Sequence, residues 1–141
     1  MITIINNMKN LENLPKYIDN RGVIQMILES CEIGSISRIV STKGSFRANH
    51  WHKNDSHFIE VLAGQVELYE QAIGSTTKPI LKIVNVGDIA FTDKQIMHTM
   101  YFPVNTVFNC YSRLPRDSKN YEEDTIRFNQ NLKEVYNGWK N

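Results

Sequence analysis

The residue types in this sequence that could do chemistry are its histidines. There are four, His50, His52, His57 and His98, and three of them fall within eight residues. In Asn49-His50-Trp51-His52 a strand would alternate its side chains, so both imidazoles share one face and Trp51 takes the other. A strand beginning at His57 puts Ile59 and Val61 on that imidazole's face, and His98 shares a face with Ile96, Met100 and Phe102. Each ring then points, with apolar neighbours, toward an interior. Neutral imidazole is the commonest protein ligand for zinc, iron, nickel and copper, so nitrogens converging from several strands make a transition-metal site.

Positioning such rings takes strands, and runs rich in Val, Ile, Phe and Tyr supply them. They cover 23–28, 35–41, 46–52, 57–62, 65–70, 80–86, 88–92, 98–102 and 106–113, separated by turn residues such as Gly34, Gly44, Gly64 and Gly87. Many short strands at this spacing predict an all-β sandwich or barrel. Only the tail departs from it. After Asp124 and Thr125, the residues Phe128, Leu132, Val135, Tyr136 and Trp139 fall at helical spacing and predict one amphipathic α-helix over about 124–139, closing on the β body.

A chain of 141 residues has room for one domain with a real core, and 41% hydrophobic with 22% charged residues excludes a disordered or low-complexity chain. Sixteen basic against fifteen acidic residues leave a net charge of +1. No long-range field, basic stripe or DNA-binding helix pair points to nucleic acid, and nothing recommends an anionic membrane. The opening Met1-Ile2-Thr3-Ile4-Ile5 gives way at once to Asn6 and Asn7, too short for a signal-peptide core or a membrane span, so the expected setting is the cytoplasm. Cys31 and Cys110 are too few and too separated for a disulfide framework and read as thiols.

The histidines and their flanking glycines resemble the cupin superfamily. Its first motif runs glycine, five residues, HxH, four residues, an acidic residue, six residues, glycine. Here Gly44, His50, His52, His57 and Gly64 hold that spacing, with His57 in the acidic slot. In the second motif Gly87 and His98 fall in place, while Asp93, Gln95 and Phe102 stand where the family keeps proline, glycine and asparagine. The resemblance covers roughly residues 19–113. It implies a double-stranded β-helix, or jelly roll, with His50, His52, His57 and His98 where the family keeps its metal ligands. Imidazole in place of a carboxylate at position 57 removes a negative charge, which favours zinc, iron or nickel over magnesium.

A finer likeness runs through Asp19-Asn20-Arg21-Gly22, His50-Trp51-His52-Lys53 and the stretch from Tyr121 to Phe128. These are similar to the layout of small nucleotide-sugar ketoisomerases and related deoxysugar epimerases. The implied chemistry moves a proton between carbons flanking a carbonyl, with His50 or His52 as base. An imidazole nitrogen bound to a metal has no lone pair for a proton. With a metal polarising the carbonyl, the proton would need another carrier, such as Tyr111 or Tyr69. Arg47, Lys53 and Arg113 are the cations expected to clamp a diphosphate. Two other readings of the same barrel are an iron-dependent dioxygenase and a non-catalytic small-molecule binder. Cupins usually associate, and Trp51, Phe58 and Leu62 on the opposite strand faces are apolar enough to want cover, so a homodimer is expected.

Overall fold

Period-two patterning becomes two facing antiparallel sheets in the computed structural model, which describes residues 16–140. The opening Met1-Ile2-Thr3-Ile4-Ile5, and the inference drawn from it, lie outside those residues. Strands β1 (Lys16–Asp19) and β2 (Gly22–Gln25) form a hairpin of their own. A four-stranded sheet follows the order β3 (Ser35–Ser41), β10 (Thr106–Ser112), β5 (His57–Ala63), β8 (Ile89–Thr92). The five-stranded sheet follows the order β11 (Thr125–Arg127), β4 (Phe46–His52), β9 (Ile96–Tyr101), β6 (Gln65–Ala72), β7 (Ile80–Asn85). This is the double-sheet jelly roll of the cupins.

The sheets hold together through the side chains that face each other between them. Ile59, Val61, Val66, Leu68, Val84, Met100, Phe102 and Phe108 form one buried cluster, with the Phe102 and Phe108 rings stacked at 5.6 Å. The cluster runs up to the histidines, where its members Met100, Phe108 and Cys110 share a cavity lining with them. Gly64 makes the β5–β6 turn at φ +87°, and a Cβ there would run into the Asn105 carbonyl, so a side chain is excluded twice over. Among the described residues, no helix is long and apolar enough to cross a membrane.

The tail differs from the single helix expected over 124–139. It forms α1 (Ser118–Asp124), then β11, then α2 (Leu132–Asn137). Thr125 and Ile126 are β-branched and lie beside the open edge of β4, where pairing with Trp51 and His52 outcompetes helix formation. Asn131 then caps α2 by accepting from the Glu134 N–H, and Leu132 is that helix's one fully covered side chain. Phe58 also departs from expectation. It needs no second subunit to cover it, because Phe91, Leu28, Cys31, Ile89 and Tyr111 of its own chain pack over it and leave it 0% exposed.

Candidate active site

Two strands of one sheet and one of the other bring the four imidazoles to the same end of the barrel. His50 and His52 lie at the end of β4, His98 lies in β9, and His57 opens β5 in the facing sheet. The pairing of His50 with His98 sets those two rings side by side. Ring centroids are 4.7 Å apart for His50–His52 and His50–His98, 5.2 Å for His57–His98 and 5.7 Å for His52–His98. All four rings are buried and line a cavity of about 150 Å³, together with Arg47, Asp55, Ser112, Arg116 and Tyr121.

Burial decides the charge on these rings. Loss of solvent lowers His50 to about 2 and His52 and His98 to about 4; Arg116 pushes all three the same way, neighbouring imidazoles add to the fall at His50 and His52, and Asp124 at His52 and the Ile96 carbonyl at His98 oppose it. His57 lies well below the usual 6.5 for the same reasons. All four are therefore neutral at neutral pH, and each keeps one nitrogen lone pair. The Nδ1 of His98 is 2.9 Å from the Ile96 carbonyl oxygen, which can only accept, so the ring proton sits on Nδ1 and the lone pair on Nε2. For His52, Nδ1 faces Asp124 Oδ2 at 3.5 Å and Thr125 Oγ1 at 3.3 Å, an arrangement that favours the same tautomer. The Nε2 atoms of His57 and His98 are buried and have no hydrogen-bond partner among the described residues.

Buried ring nitrogens left unmatched are costly, by about 1–3 kcal/mol each, and suit a site that completes itself on binding something. The donor set fits a transition ion. Ligand atoms of His50, His52 and His98 all lie within 4.8 Å of one another, and His57 falls outside that group. Asp55 adds a buried carboxyl whose pKa is raised by burial, although the Leu114 and Ser56 backbone N–H groups it accepts from oppose the rise.

Of the expected phosphate-binding cations, only Arg47 reaches this cavity. Its Nε donates to Ser41 Oγ at 2.7 Å, and its Nη2 donates to the Val40 carbonyl at 3.0 Å. Lys53 lines a neighbouring hollow of about 460 Å³ that shares Asp55 and Tyr121 with the cavity. Arg113 spends a guanidinium N–H on the Asn54 carbonyl. The three do not form one clamp.

Neither expected proton carrier lies at the cavity, and strand alternation is the reason. Phe108, Cys110 and Ser112 face it, so Tyr111 faces out of β10, where its hydroxyl donates to Glu60 at 2.6 Å. In β6, Val66 and Leu68 face the core, so Tyr69 lies on the outer side beneath α2, donating to Glu67 at 2.6 Å and accepting from Lys133 at 3.1 Å. Burial and an acidic partner raise both phenols, so each holds its proton more firmly than a free tyrosine.

The phenol at the cavity is Tyr121, from α1, with its ring 5.7 Å from His52 and the Arg116 guanidinium 4.5 Å above it. Asp124, at the end of the same helix, accepts from Asn54 and Asp55 backbone N–H groups and so ties the β4–β5 loop to the tail. In the sequence Tyr121 and Asp124 stand out only within the Tyr121–Phe128 stretch and, for Asp124, as a helix start, and nothing singles out Arg116. No periodicity marks residues that reach a site by folding back over it.

Fold and site together define a cupin-type barrel with a histidine-lined cavity. No protein-family model matches the chain, and no curated protein matches it in sequence. Solved structures do share its fold. A 3,4-ketoisomerase from Helicobacter canadensis is 21% identical at a TM-score of 0.67, over 89% of this chain and 92% of that one. The sugar 3,4-ketoisomerase QdtA from Thermoanaerobacterium thermosaccharolyticum, solved with TDP, is 17% identical at 0.65 over 88% of each chain. The capsular polysaccharide assembling protein CapF from Staphylococcus aureus is 17% identical at 0.63 over 84% of this chain, which spans only 32% of CapF.

Proposed function

We propose that this protein isomerises a keto sugar carried on a nucleoside diphosphate. One observation carries the reading: four neutral, buried imidazoles, two with unmatched Nε2 atoms, surround one cavity in a barrel whose nearly full-length structural neighbours include sugar 3,4-ketoisomerases. A histidine-to-asparagine mutant of QdtA has been solved with TDP-4-keto-6-deoxyglucose, so that class of ligand is the natural first substrate to try.

The geometry suggests a division of labour among the rings that removes the conflict between ligand and base. His50, His52 and His98 would hold a zinc, iron or nickel ion, which supplies Lewis-acid polarisation of a carbonyl oxygen when bound. His57, outside that group, has an Nε2 without a hydrogen-bond partner, which in the Nδ1-protonated tautomer would offer its lone pair to the reaction. In the proposed step His57 Nε2 takes the proton from C3 of a 4-keto sugar. The electrons form an enediolate across C3 and C4, the hydroxyl proton passes from O3 to O4, and the proton held on His57 returns at C4, which leaves a carbonyl at C3 and a hydroxyl at C4. Arg116 and the Tyr121 hydroxyl stand at the cavity to stabilise enediolate charge. Arg47 at the rim binds phosphate oxygens. The proposed setting is the cytoplasm, consistent with free thiols at Cys31 and Cys110, and the proposed assembly is a homodimer.

The test is turnover of TDP-4-keto-6-deoxyglucose in heavy water, followed by proton NMR. Wild type should convert it and incorporate deuterium beside the carbonyl. His57→Gln should slow turnover by about 10²–10⁴-fold while retaining the bound ion. Inactive wild type, or a fully active His57→Gln, would refute the assignment.

A further inference from the structure

A regular strand counted back from His52 and His50 would place Ala48 and Phe46 on the histidine face and Arg47 with Trp51 on the other. The structure does the opposite with Arg47. It pairs with Met100 while His50 pairs with His98, so three steps along β4 match two along β9. Ala48 pairs with Thr99, and Asn49 is the extra residue. Both lie in the left-handed region, Ala48 at φ +70° and Asn49 at φ +55°. This is a β-bulge, and an added residue reverses the parity of everything before it. Arg47 thereby reaches the cavity wall beside the imidazoles, and Phe46 turns the other way, its ring tilted against Tyr101 with centroids 4.9 Å apart.

The bulge is held from outside the barrel. Thr99, 0% exposed beneath α2, donates its hydroxyl to Asn49 Oδ1 at 2.8 Å. The same hydroxyl accepts from the Leu132 N–H at 3.0 Å, and the Asn49 carbonyl accepts from the Phe128 N–H at 3.1 Å. One buried hydroxyl thus joins the extra residue of β4 to the first turn of α2.

We propose that the Ala48–Asn49 bulge determines ligand affinity by setting Arg47 on the histidine face, with Asn49 and Thr99 as the positioning residues that hold it there. What Arg47 then binds, the diphosphate, rests on the nucleotide-sugar reading. The guanidinium retains N–H groups beyond those given to Ser41 and Val40, so it can present donors to an anionic ligand at the cavity mouth while staying anchored.

Thr99→Val removes the donor to Asn49 and the acceptor for Leu132, and Thr99→Ser keeps the hydroxyl. Two readouts apply: hydrogen-exchange protection of the Arg47 Nε–H, which is bonded to Ser41, and the TDP dissociation constant set against kcat. Thr99→Val should lose Arg47 Nε–H protection and bind TDP about tenfold more weakly, with kcat at saturating substrate within about threefold of wild type. Thr99→Ser should restore both. If Thr99→Val does not fold, Asn49→Ala, which leaves the Thr99–Leu132 bond in place, takes its part with the same expectations. A folded variant with Arg47 protection and TDP affinity both unchanged overturns the inference. Wild type that fails to bind TDP counts against the nucleotide-sugar reading, while the protection measurement still decides where Arg47 is held.

Discussion

Each imidazole in this barrel keeps its lone pair because burial costs the protonated ring its hydration. That has a measurable consequence for stability. Burial lowers His52 and His98 to about 4 in the folded protein against 6.5 when unfolded, and holds His57 well below 6.5. Below pH 6.5 the unfolded chain takes up protons that the folded chain refuses, so stability present above that pH is lost as pH falls toward 4. Metal-free protein should show a Tm that drops steeply between pH 7 and about 4.5, and His57→Gln should flatten the drop. A flat profile would mean that the rings are hydrated. The histidine faces were legible from the sequence because HxH on a strand needs only period two. Arg47 lines the cavity for a reason the sequence does not contain, since Ala48 carries no mark of a left-handed backbone. Tyr111 and Tyr69 were chosen by type, and alternation turns both outward.

At the scale of elements, β3 and β4 coincide with the runs expected over 35–41 and 46–52, because apolar alternation and flanking glycines define both ends. The tail was misread because helical spacing of Phe128, Leu132, Val135 and Tyr136 is a local signal, whereas the free edge of β4 that captures Thr125–Arg127 exists only once the barrel has formed. Helix α2 is short and depends on its docking, with Leu132 as its buried anchor. Leu132→Ala should cost about 2–5 kcal/mol by denaturant unfolding. Ala48 offers the converse test. A left-handed non-glycine residue costs roughly 1–2 kcal/mol, so Ala48→Gly should be neutral or stabilising, and β-branched Ala48→Val should destabilise more than an ordinary exposed substitution. Equal stabilities for these two variants would remove the strain from the bulge.

For the whole molecule, the site accounts for one end of the barrel and leaves apolar surface elsewhere. Ile36 and Val40 on the edge strand β3 are each 65% exposed, and Ile18 and Ile24 on the separate β1–β2 hairpin are 75% and 66% exposed. An isolated two-stranded hairpin is marginal in water, so these surfaces suit a second copy. Light scattering should report about twice 16.4 kDa, and a clean 16.4 kDa species would contradict a homodimer. That all four rings act at one cavity is tested most directly by imidazole nitrogen–proton NMR at neutral pH, before and after adding TDP-4-keto-6-deoxyglucose. Expected are four neutral rings with His98 protonated on Nδ1, and substrate-dependent shifts at His57 and its three neighbours. Rings that titrate near pH 6.5, or that ignore the sugar nucleotide, would contradict both the site and the chemistry assigned to it.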